Sequence, residues 1–279
     1  MQRSYDSLFH FTTNIDVLIS ILKKKFKGSY CREEFRYGDQ TIEQFVPKIS
    51  FCDIPEGTLD IYKNYGGYAI GLSKEWAKSK GLNPVLYVES HSLLAKSLID
   101  AYNGNRRALD FLGATAEAIW ASWRRSEDDV LKSPIKIDLQ QAEESYQHVK
   151  DTLMAVNYNQ YSLCYIKPYE ADLERQEGLI ENYRFYDERE WCFVPDFKIF
   201  LEKYNIVRPQ YLEWRGNGNS KPLLDELMLD FEYDDVSELL VASVEDLEDL
   251  SDMIDTLPDE YFKETLGKSR LKSKIRISD

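Results

Sequence analysis

The sequence has few cysteine and histidine residues, which limits the chemistry that its side chains can supply. Its 279 residues include four cysteines and three histidines, and the cysteines lie far apart without a Cys-x-x-Cys pair. A structural zinc site or a disulfide framework needs such residues at characteristic close spacings. We therefore expect reduced, mostly packed thiols and no bound metal.

Long apolar runs and an excess of basic residues are also absent. No segment approaches the roughly 18 consecutive apolar residues of a membrane span, and the first residues lack the basic and apolar regions of a signal peptide. Lys and Arg number 35 against 49 Asp and Glu, which gives a net charge of −14. Such a charge repels nucleic acids and anionic membranes at long range. We expect a cytoplasmic protein that does not bind membranes.

Apolar and aromatic residues are abundant enough for one large folded domain. Hydrophobic residues make up 43% of the sequence, with 19 Tyr and 13 Phe against only 13 Gly and 9 Pro. This composition excludes a disordered, collagenous or low-complexity protein. Because a single core reaches its size limit near ~250–300 residues, we expect one domain over residues 1–279.

Hydrophobic periodicity divides this domain into four parts. Residues 1–90 carry strand patterns at 46–52, 68–72 and 84–89, and a helix that Thr13 can cap and Gly28 can close. Residues 91–160 form a helical insertion, and strand patterns return at 162–167 and 188–194 within the second part of the sheet, residues 161–200. Residues 201–279 form an acidic C-terminal subdomain with a basic tail. The sequence thus predicts an α+β fold.

The acidic subdomain has an unusual charge pattern. Between Asp225 and Glu260 there are fifteen acidic residues and no Lys or Arg, interrupted by leucines at amphipathic spacing. Ser243 and Asp246 are typical of a helix start, so the segment is predicted to be folded. The basic tail can lie over it or stay free. The acidic residues either dock a basic partner or only keep the protein soluble.

Two glutamates near residue 190 are candidate catalytic groups. In an extended strand Glu188 and Glu190 point to one face, while Arg189 and Trp191 point to the other. Paired carboxylates can divide labour, one stabilising an oxocarbenium-like centre and the other orienting an acceptor. The alternative is a solvated strand edge in which Arg189 pairs with a neighbouring acid. The spacing leaves both interpretations open.

One histidine and a tyrosine cluster are candidate binding groups. His10 lies in an apolar, strand-like segment before a helix, where it is either a satisfied strand-end residue or a functional one. Tyr62, Tyr65 and Tyr68 surround a Gly-Gly pair, which allows a flat heteroaromatic ligand to stack, although ordinary packing explains tyrosines equally well. The sequence contains no GxGxxG, P-loop, GxSxG or HExxH motif.

A series of short motifs resembles the AbiGi family of bacterial abortive-infection proteins, which act in phage resistance. In chain order these motifs are FHFT, an Ile-Leu pair in the first helix, SFCDIP, YGGYAIGLSKEW, NPVLYV and YDEREWCFVP. The resemblance covers roughly residues 5–90 and 180–200, and it is weaker at the acidic end. It implies the antitoxin of a two-component system whose partner is a nucleotidyltransferase-like toxin.

The same layout is similar, more distantly, to the ADP-ribosyltransferase fold of the His-Tyr-Glu type. This resemblance implies a split antiparallel sheet that binds NAD as co-substrate in a cleft. Glu190 would bond the nicotinamide ribose and stabilise the oxocarbenium-like transition state, and Glu188 would orient the acceptor. His10 would hold the adenosine-side ribose, and Tyr65 or Tyr68 would stack on nicotinamide. The implied NAD-binding residues are His10, Phe11, Thr12, Ser50, Tyr65 and Tyr68.

The sequence therefore predicts a phage-defence protein with one of two activities. The first is an NAD-dependent ADP-ribosyltransferase acting on a nucleic-acid or protein acceptor. A local basic patch would attract nucleic acid within a Debye length, and its predicted members are Lys48, Lys63, Lys74, Arg106, Arg107, Arg124 and Arg125. The second is a catalytically inactive antitoxin or sensor that binds its partner toxin through the acidic C-terminal face. Only the first needs Glu190 and NAD.

Overall fold

The computed structural model describes residues 6–55, 66–126, 139–175, 178–216 and 222–278. The protein has a mixed α+β fold, as predicted. Its strands are β1 (Ser7–Thr12), β2 (Phe26–Tyr37), β3 (Gln40–Cys52), β4 (Tyr68–Ser73), β5 (Asn83–Pro84), β6 (Leu86–Val88), β7 (Ile166–Pro168), β8 (Ala171–Arg175), β9 (Gly178–Tyr183), β10 (Glu190–Phe193), β11 (Leu224–Leu229), β12 (Val236–Val241) and β13 (Ile275–Ile277). Its helices are α1 (Ile15–Lys24), α2 (Lys74–Ser79), α3 (Leu93–Ser126), α4 (Leu139–Leu163), α5 (Phe197–Ile199), α6 (Arg208–Arg215), α7 (Val244–Asp255) and α8 (Gly267–Lys272).

Within the described residues, nine strands form the main sheet, in the order β11-β2-β3-β1-β4-β12-β13, with β10 paired to β3 and β5 paired to β10. The sheet was expected to be antiparallel throughout, but β12 and β13 run parallel, so it is mixed. This correction follows from the tail, which returns along α8 and adds β13 beside β12. Two smaller sheets pair β6 with β7 in parallel and β8 with β9 antiparallel.

Strand register defines two faces of the main sheet. Cys52 of β3 pairs with Phe9 of β1 and also with Glu190 of β10, so β1 and β10 lie on opposite edges of β3. Directly opposed residues of antiparallel strands share a face, and residues alternate along each strand. Ser50, Cys52 and Glu190 therefore lie on one face, which we call the charge-bearing face. His10 and Phe51 lie on the other, the helix-covered face.

The main core lies on the helix-covered face. Helix α1 contributes buried residues that include Leu18 and Leu22, and α7 contributes Leu250 and Ile254. They pack with buried sheet residues such as Phe51. At roughly 25 cal/mol per Å² of apolar surface removed from water, this burial is the main favourable contribution to folding. The position of the core fixes which sheet residues remain available for polar chemistry.

The two ends of α1 differ from the sequence prediction. Asn14 caps the helix instead of Thr13, because its side chain accepts the Val17 N–H at 3.0 Å. Gly28 does not close the helix but lies within β2, where an added Cβ would lie 2.3 Å from Leu227 Cδ2. The glycine therefore allows β11 to approach β2.

Other predicted boundaries hold in part. Ser243 caps α7, as predicted, and Ser73 caps α2, each accepting a backbone N–H at 3.1 Å. The strand predicted at 162–167 is wrong at its beginning. Helix α4 continues to Leu163, which packs with Phe35 and Ile99. Within the predicted strand, extended structure therefore begins only at Ile166, the first residue of β7.

The acidic segment is folded, as predicted, and contains β11, β12 and α7. The basic tail lies over it. Lys268 pairs with Asp259 at 2.7 Å and Lys272 pairs with Asp255 at 2.5 Å. Within the described ranges, no helix is long and apolar enough to cross a membrane.

Candidate functional site

Glu190, the predicted catalytic carboxylate, lies in a network of buried charges at the start of β10. Its side chain is 4% exposed. Oε1 accepts hydrogen bonds from Lys48 Nζ at 2.8 Å and from Ser50 Oγ at 2.6 Å. Oε2 lies 2.6 Å from Lys167 Nζ. Both carboxylate oxygens are thus engaged by lysines.

Two further glutamates complete this network, which we call the charge cluster: Glu33, Lys48, Lys167, Glu188 and Glu190. Lys48 Nζ lies 2.6 Å from Glu33 Oε1, and Lys167 Nζ lies 2.9 Å from Glu188 Oε2. The side chains of Glu33 and Glu188 are 16% and 12% exposed, so the cluster is largely withdrawn from solvent. Charges of opposite sign alternate through it, as desolvated ions require.

Five elements bring the cluster together. Glu33 lies on β2, Lys48 on β3, Lys167 on β7 and Glu190 on β10, while Glu188 lies in a 3-10 turn, Phe185–Glu188. Alternation along β3 directs Lys48 and Ser50 to the charge-bearing face, and the register of β10 places Glu190 beside them. The cluster therefore ties the small β6–β7 sheet to the main sheet.

Electrostatics holds every member of the Glu190 ion pairs in its charged form. Burial by itself would raise the pKa of Glu190, but the ammonium groups of Lys167 and Lys48 outweigh it and hold that pKa well below its usual value. Burial would lower the pKa of Lys48 and Lys167, but the surrounding carboxylates raise both well above the usual lysine value. A carboxylate held in this way is a poor proton donor.

The thiols beside the cluster are not activated. Burial raises the pKa of Cys52 and Cys192, and the negative charge of Glu190 adds to the effect. Since the thiolate is the reactive species, both residues behave as packed hydrophobic groups.

Three of the predicted site residues, Ser50, Glu188 and Glu190, come together in the structure. Glu188 reaches the cluster by a different route from the predicted one. It lies outside the strand, because Arg189 has a left-handed backbone with φ 45° and separates the 3-10 turn from β10. Alternation along a strand therefore does not explain the shared location, and Lys167 bridges the two glutamates instead.

His10 lies on the opposite face from Glu190. Its half-buried ring contacts Phe26 and Phe51, with ring centroids 5.2 and 5.5 Å away. Its Nδ1 lies 2.8 Å from the Ser50 carbonyl oxygen, an acceptor, so Nδ1 carries the proton. Burial lowers the pKa of His10, and the bond to Ser50 opposes that shift only partly. The ring is thus neutral at pH 7 and packs in the core.

The remaining predicted binding residues have local partners. Thr12 Oγ1 donates to the Asn14 carbonyl oxygen at 3.2 Å, and Tyr68 Oη donates to Asp246 Oδ2 at 3.1 Å on the helix-covered face. The Phe11 ring lies 6.4 Å from that of Phe9. Tyr65 lies outside the described residues.

The glycine pair beside these tyrosines has a packing role. Gly66 has φ +131°, a conformation that residues with side chains rarely adopt, and an added Cβ would lie 1.9 Å from the Thr12 carbonyl oxygen. Close approach between two segments of this chain therefore accounts for the glycine, whereas the sequence suggested close approach of a ligand.

The two lysines that determine the state of Glu190 were not among the predicted catalytic or NAD-binding residues. Lys48 was assigned to a cleft-local basic patch that attracts nucleic acid, but its side chain is 2% exposed and pairs with Glu33 and Glu190, so it does not present its charge to such a ligand. Lys74, another predicted patch member, pairs with Asp53 at 2.8 Å. No local signal indicated burial, because a lysine between apolar residues of a strand is typical of a solvent-facing position, and the partners of Lys48 and Lys167 are distant in sequence. Lys63 and the side chains of Arg124 and Arg125 lie outside the described part.

A second acidic region lies on α7. Glu245, Glu248, Asp249 and Asp252 are exposed and follow the spacing i, i+3, i+4, i+7 of one helical face. We call them the acidic ridge. Within the ranges that the structure describes, none of the four forms an ion pair. Several acidic residues outside the ridge are paired with lysines, among them Asp225 with Lys27, Asp230 with Lys80 and Asp255 with Lys272.

Comparison with known proteins places the chain in a family. A family model described as "Putative abortive phage resistance protein AbiGi, antitoxin" matches residues 24–242. The chain belongs to the AbiGi family. It is 23% identical over 167 residues to the "Abortive phage resistance protein AbiGi" of Lactococcus lactis subsp. cremoris, covering 56% of this chain and 53% of that protein. The chain thus spans about half the length of this curated relative. No solved structure matches it significantly.

The family match confirms the predicted resemblance. It includes the charge cluster but not the acidic ridge. The charge cluster lies within the matched residues 24–242, and the acidic ridge follows them. The family is one of abortive phage resistance, and its description specifies an antitoxin.

Proposed function

We propose that this AbiGi-family protein is a non-enzymatic antitoxin that binds and restrains a partner toxin in an abortive phage-resistance system. The family description supports this function. The observation that carries it is the state of Glu190, whose two carboxylate oxygens are held by Lys48 and Lys167 in a largely solvent-excluded cluster.

A catalytic carboxylate must contact its substrate. To bond a ribose hydroxyl, Glu190 would have to leave two ammonium groups buried without their main counter-ion, and breaking a buried pair costs about 3–5 kcal/mol. His10 is directed to the opposite face, so the two groups do not line one cleft. The geometry therefore favours a structural role for Glu190 over participation in chemistry.

The acidic ridge is the surface that we assign to the partner. Its four carboxylates are exposed along one face of α7 and carry no counter-ion among the described residues. Together with the net charge of −14, they attract a basic surface and speed its association. A toxin that acts on nucleic acid has such a basic surface, which the ridge would cover as a polyanion does.

A toxin-neutralisation assay tests this proposal. The chain is co-expressed with its cognate toxin, and cell survival is measured with Glu190→Gln and with lysine substitutions at all four ridge positions. A matched control reverses four exposed acidic residues outside the ridge: Glu170, Glu181, Glu213 and Asp234. We expect ridge reversal to abolish protection and the control to retain it. Folded Glu190→Gln protein should still protect.

Two outcomes would contradict the proposal. Loss of protection with a well-folded Glu190→Gln variant would point to catalysis. Equal loss of protection in the ridge variant and in its matched control would show that only total charge matters. Circular dichroism on each purified variant separates loss of binding from loss of fold.

An NAD-dependent ADP-ribosyltransferase is the second candidate function. One observation favours it: Ser50 and Glu190, both members of the predicted site, are in contact at 2.6 Å. In this reaction the bond between nicotinamide and ribose breaks, nicotinamide leaves with the bonding electron pair, and a protein or nucleic-acid nucleophile bonds to the ribose carbon and loses its proton.

Nicotinamide release from NAD measures this second function directly. The wild-type protein is compared with Glu190→Gln in the presence of cell lysate as the source of acceptors. Release that depends on Glu190, together with label from the NAD appearing on protein or nucleic acid, would establish the transferase. Absence of both release and NAD binding at millimolar concentration would exclude it.

A further inference from the structure

A cleft of about 420 Å³ lies between the end of β10 and residues 226–228 of β11. The end of α4 and the turns after β10 form its other walls. Its lining includes Phe193 from β10, Tyr161 from the end of α4, Tyr165 from the turn after α4, and Tyr204 from the π-helical turn after α5. No residue of the charge cluster or of the acidic ridge lines this cleft.

The cleft presents fixed aromatic rings. The Tyr161 ring lies 5.9 Å from that of Tyr165 in a T-shaped arrangement, and its hydroxyl donates to the Pro195 carbonyl oxygen at 3.1 Å. Tyr204 is 6% exposed, whereas Tyr161, Tyr165 and Phe193 are half-buried and remain partly accessible. Ordered rings with open surface bind a flat or cationic group at little conformational cost.

The charges around the cleft are unequally satisfied. Lys80 Nζ is bound to Asp230 at 2.7 Å, and Glu226 is bound to Lys203 at 2.5 Å. Asp196 is exposed on the rim, and Oδ1 accepts the backbone N–H of Lys198 at 3.0 Å. Among the charged residues that the structure describes along this cleft, Asp196 is the one without an ion pair. The cleft therefore combines aromatic surface with one uncompensated negative charge.

We propose that this cleft binds the guanidinium group of an arginine side chain supplied by a protein partner. The planar cation stacks on a tyrosine ring while its N–H groups reach the Asp196 carboxylate. Charge complementarity selects this occupant, because the basic groups at the cleft are already paired and an anion would meet Asp196 and Glu226. This inference rests on the proposed function in one respect: the arginine is taken to belong to a protein partner.

An NMR titration tests the site without the partner. Arginine amide is added to uniformly ¹⁵N-labelled full-length protein at low salt concentration, and the chemical shifts of the backbone amides are followed. We expect saturable shifts at Gly81, Tyr161, Phe193 and Met228, which line the cleft. Citrulline amide, a neutral analogue of nearly the same shape, should give no saturation. Added salt should weaken the binding of arginine amide.

A charge-removing substitution locates the interaction. Asp196→Asn keeps the helix-capping acceptor, because asparagine caps as well as aspartate does, and should weaken arginine amide binding about fivefold. Asp172→Asn is the matched control, since Asp172 also accepts a backbone N–H but lies on β8, away from the cleft. Its affinity should equal that of the wild type.

The proposal is overturned if citrulline amide binds as well as arginine amide, if the shifts lie elsewhere, or if Asp196→Asn binds with wild-type affinity. None of these results bears on neutralisation through the acidic ridge. Conversely, failure of ridge variants to lose neutralisation leaves the titration unaffected. The two proposals therefore fail separately.

Discussion

Two regions of this protein concentrate carboxylates, and they use them in opposite ways. In the charge cluster, Glu33, Glu188 and Glu190 are withdrawn from water and interleaved with two lysines. On the acidic ridge, four carboxylates lie in solvent without a described counter-ion. Buried ions must be paired, whereas exposed ions are solvated by water and screened by salt. The same residue type thus fixes architecture in one place and remains available for contacts in the other.

This difference separates candidate functions that the sequence could not separate. A carboxylate whose partners all lie within the chain stabilises the arrangement of its strands. A carboxylate without such partners remains available to bind another molecule. By this criterion Glu190 resembles a structural residue and Glu248 resembles a recognition residue. The two regions should differ in measured stability, because removing one partner of a buried ion pair costs more unfolding free energy than removing an exposed charge.

The largest expected effect is that of Glu190→Gln on stability. The substitution leaves Lys48 and Lys167 buried with less negative charge, and we expect the free energy of unfolding to fall by about 3–5 kcal/mol. Urea unfolding followed by tryptophan fluorescence measures it. Glu226→Gln, at an exposed pair with Lys203, should cost no more than ~1 kcal/mol. Similar losses in the two variants would show that the cluster is not a buried network.

A combined substitution sharpens the same point. Replacing all five members of the charge cluster, the lysines by methionine and the glutamates by leucine, removes the ions along with their desolvation penalty. We expect this variant to lose less stability than Glu190→Gln alone. The summed losses of the single variants should exceed the loss of the combined variant by roughly 0.5–3 kcal/mol or more. Urea unfolding again gives the value. Strictly additive losses would mean that the five side chains act independently.

The fold was predicted better than the site because the two depend on different kinds of information. Helix caps such as Ser73 and Ser243 are local, so adjacent residues specify them. The partners of Glu190 lie 142 residues away at Lys48 and on a short strand at Lys167, and only the strand pairings bring them together. Glu188 lies close to Glu190 as predicted, but the predicted local reason is wrong, since a left-handed residue interrupts the predicted strand.

The next effect is the acid dependence of stability. The folded-state pKa of Glu190 lies below its unfolded value of roughly 4.3, so its contribution is present above that pH and is lost as the pH falls. We expect wild-type stability to decline more steeply than that of Glu190→Gln below about pH 4.3, by up to one proton or ~1.4 kcal/mol per pH unit. Urea unfolding at pH 3 to 7 measures both slopes, and parallel curves would contradict the assignment.

Neutralising the acidic ridge should change stability little. Replacing its four residues by glutamine and asparagine removes like-charge repulsion at i, i+4, worth about 0.2–0.5 kcal/mol a pair. It also removes Glu245 from the first turn of α7, where a negative charge contributes about 0.3–1 kcal/mol. The net change in unfolding free energy should stay within ~1 kcal/mol. A loss comparable with that of Glu190→Gln would mean that the ridge has a structural role.

The smallest effect concerns His10, which tests whether the helix-covered face holds a packed or a reactive histidine. Because its folded-state pKa is lowered, the neutral ring contributes stability above roughly pH 6.5, and this is lost as the pH falls. Since the ring is half-buried, the loss between pH 7 and 5 should be under ~1 kcal/mol. His10→Asn retains a donor toward Ser50 but does not titrate, so its stability should change less over that range. If His10→Asn and the wild type showed the same dependence of stability on pH, folding would not affect the ionisation of His10, and the ring would not be packed in the core.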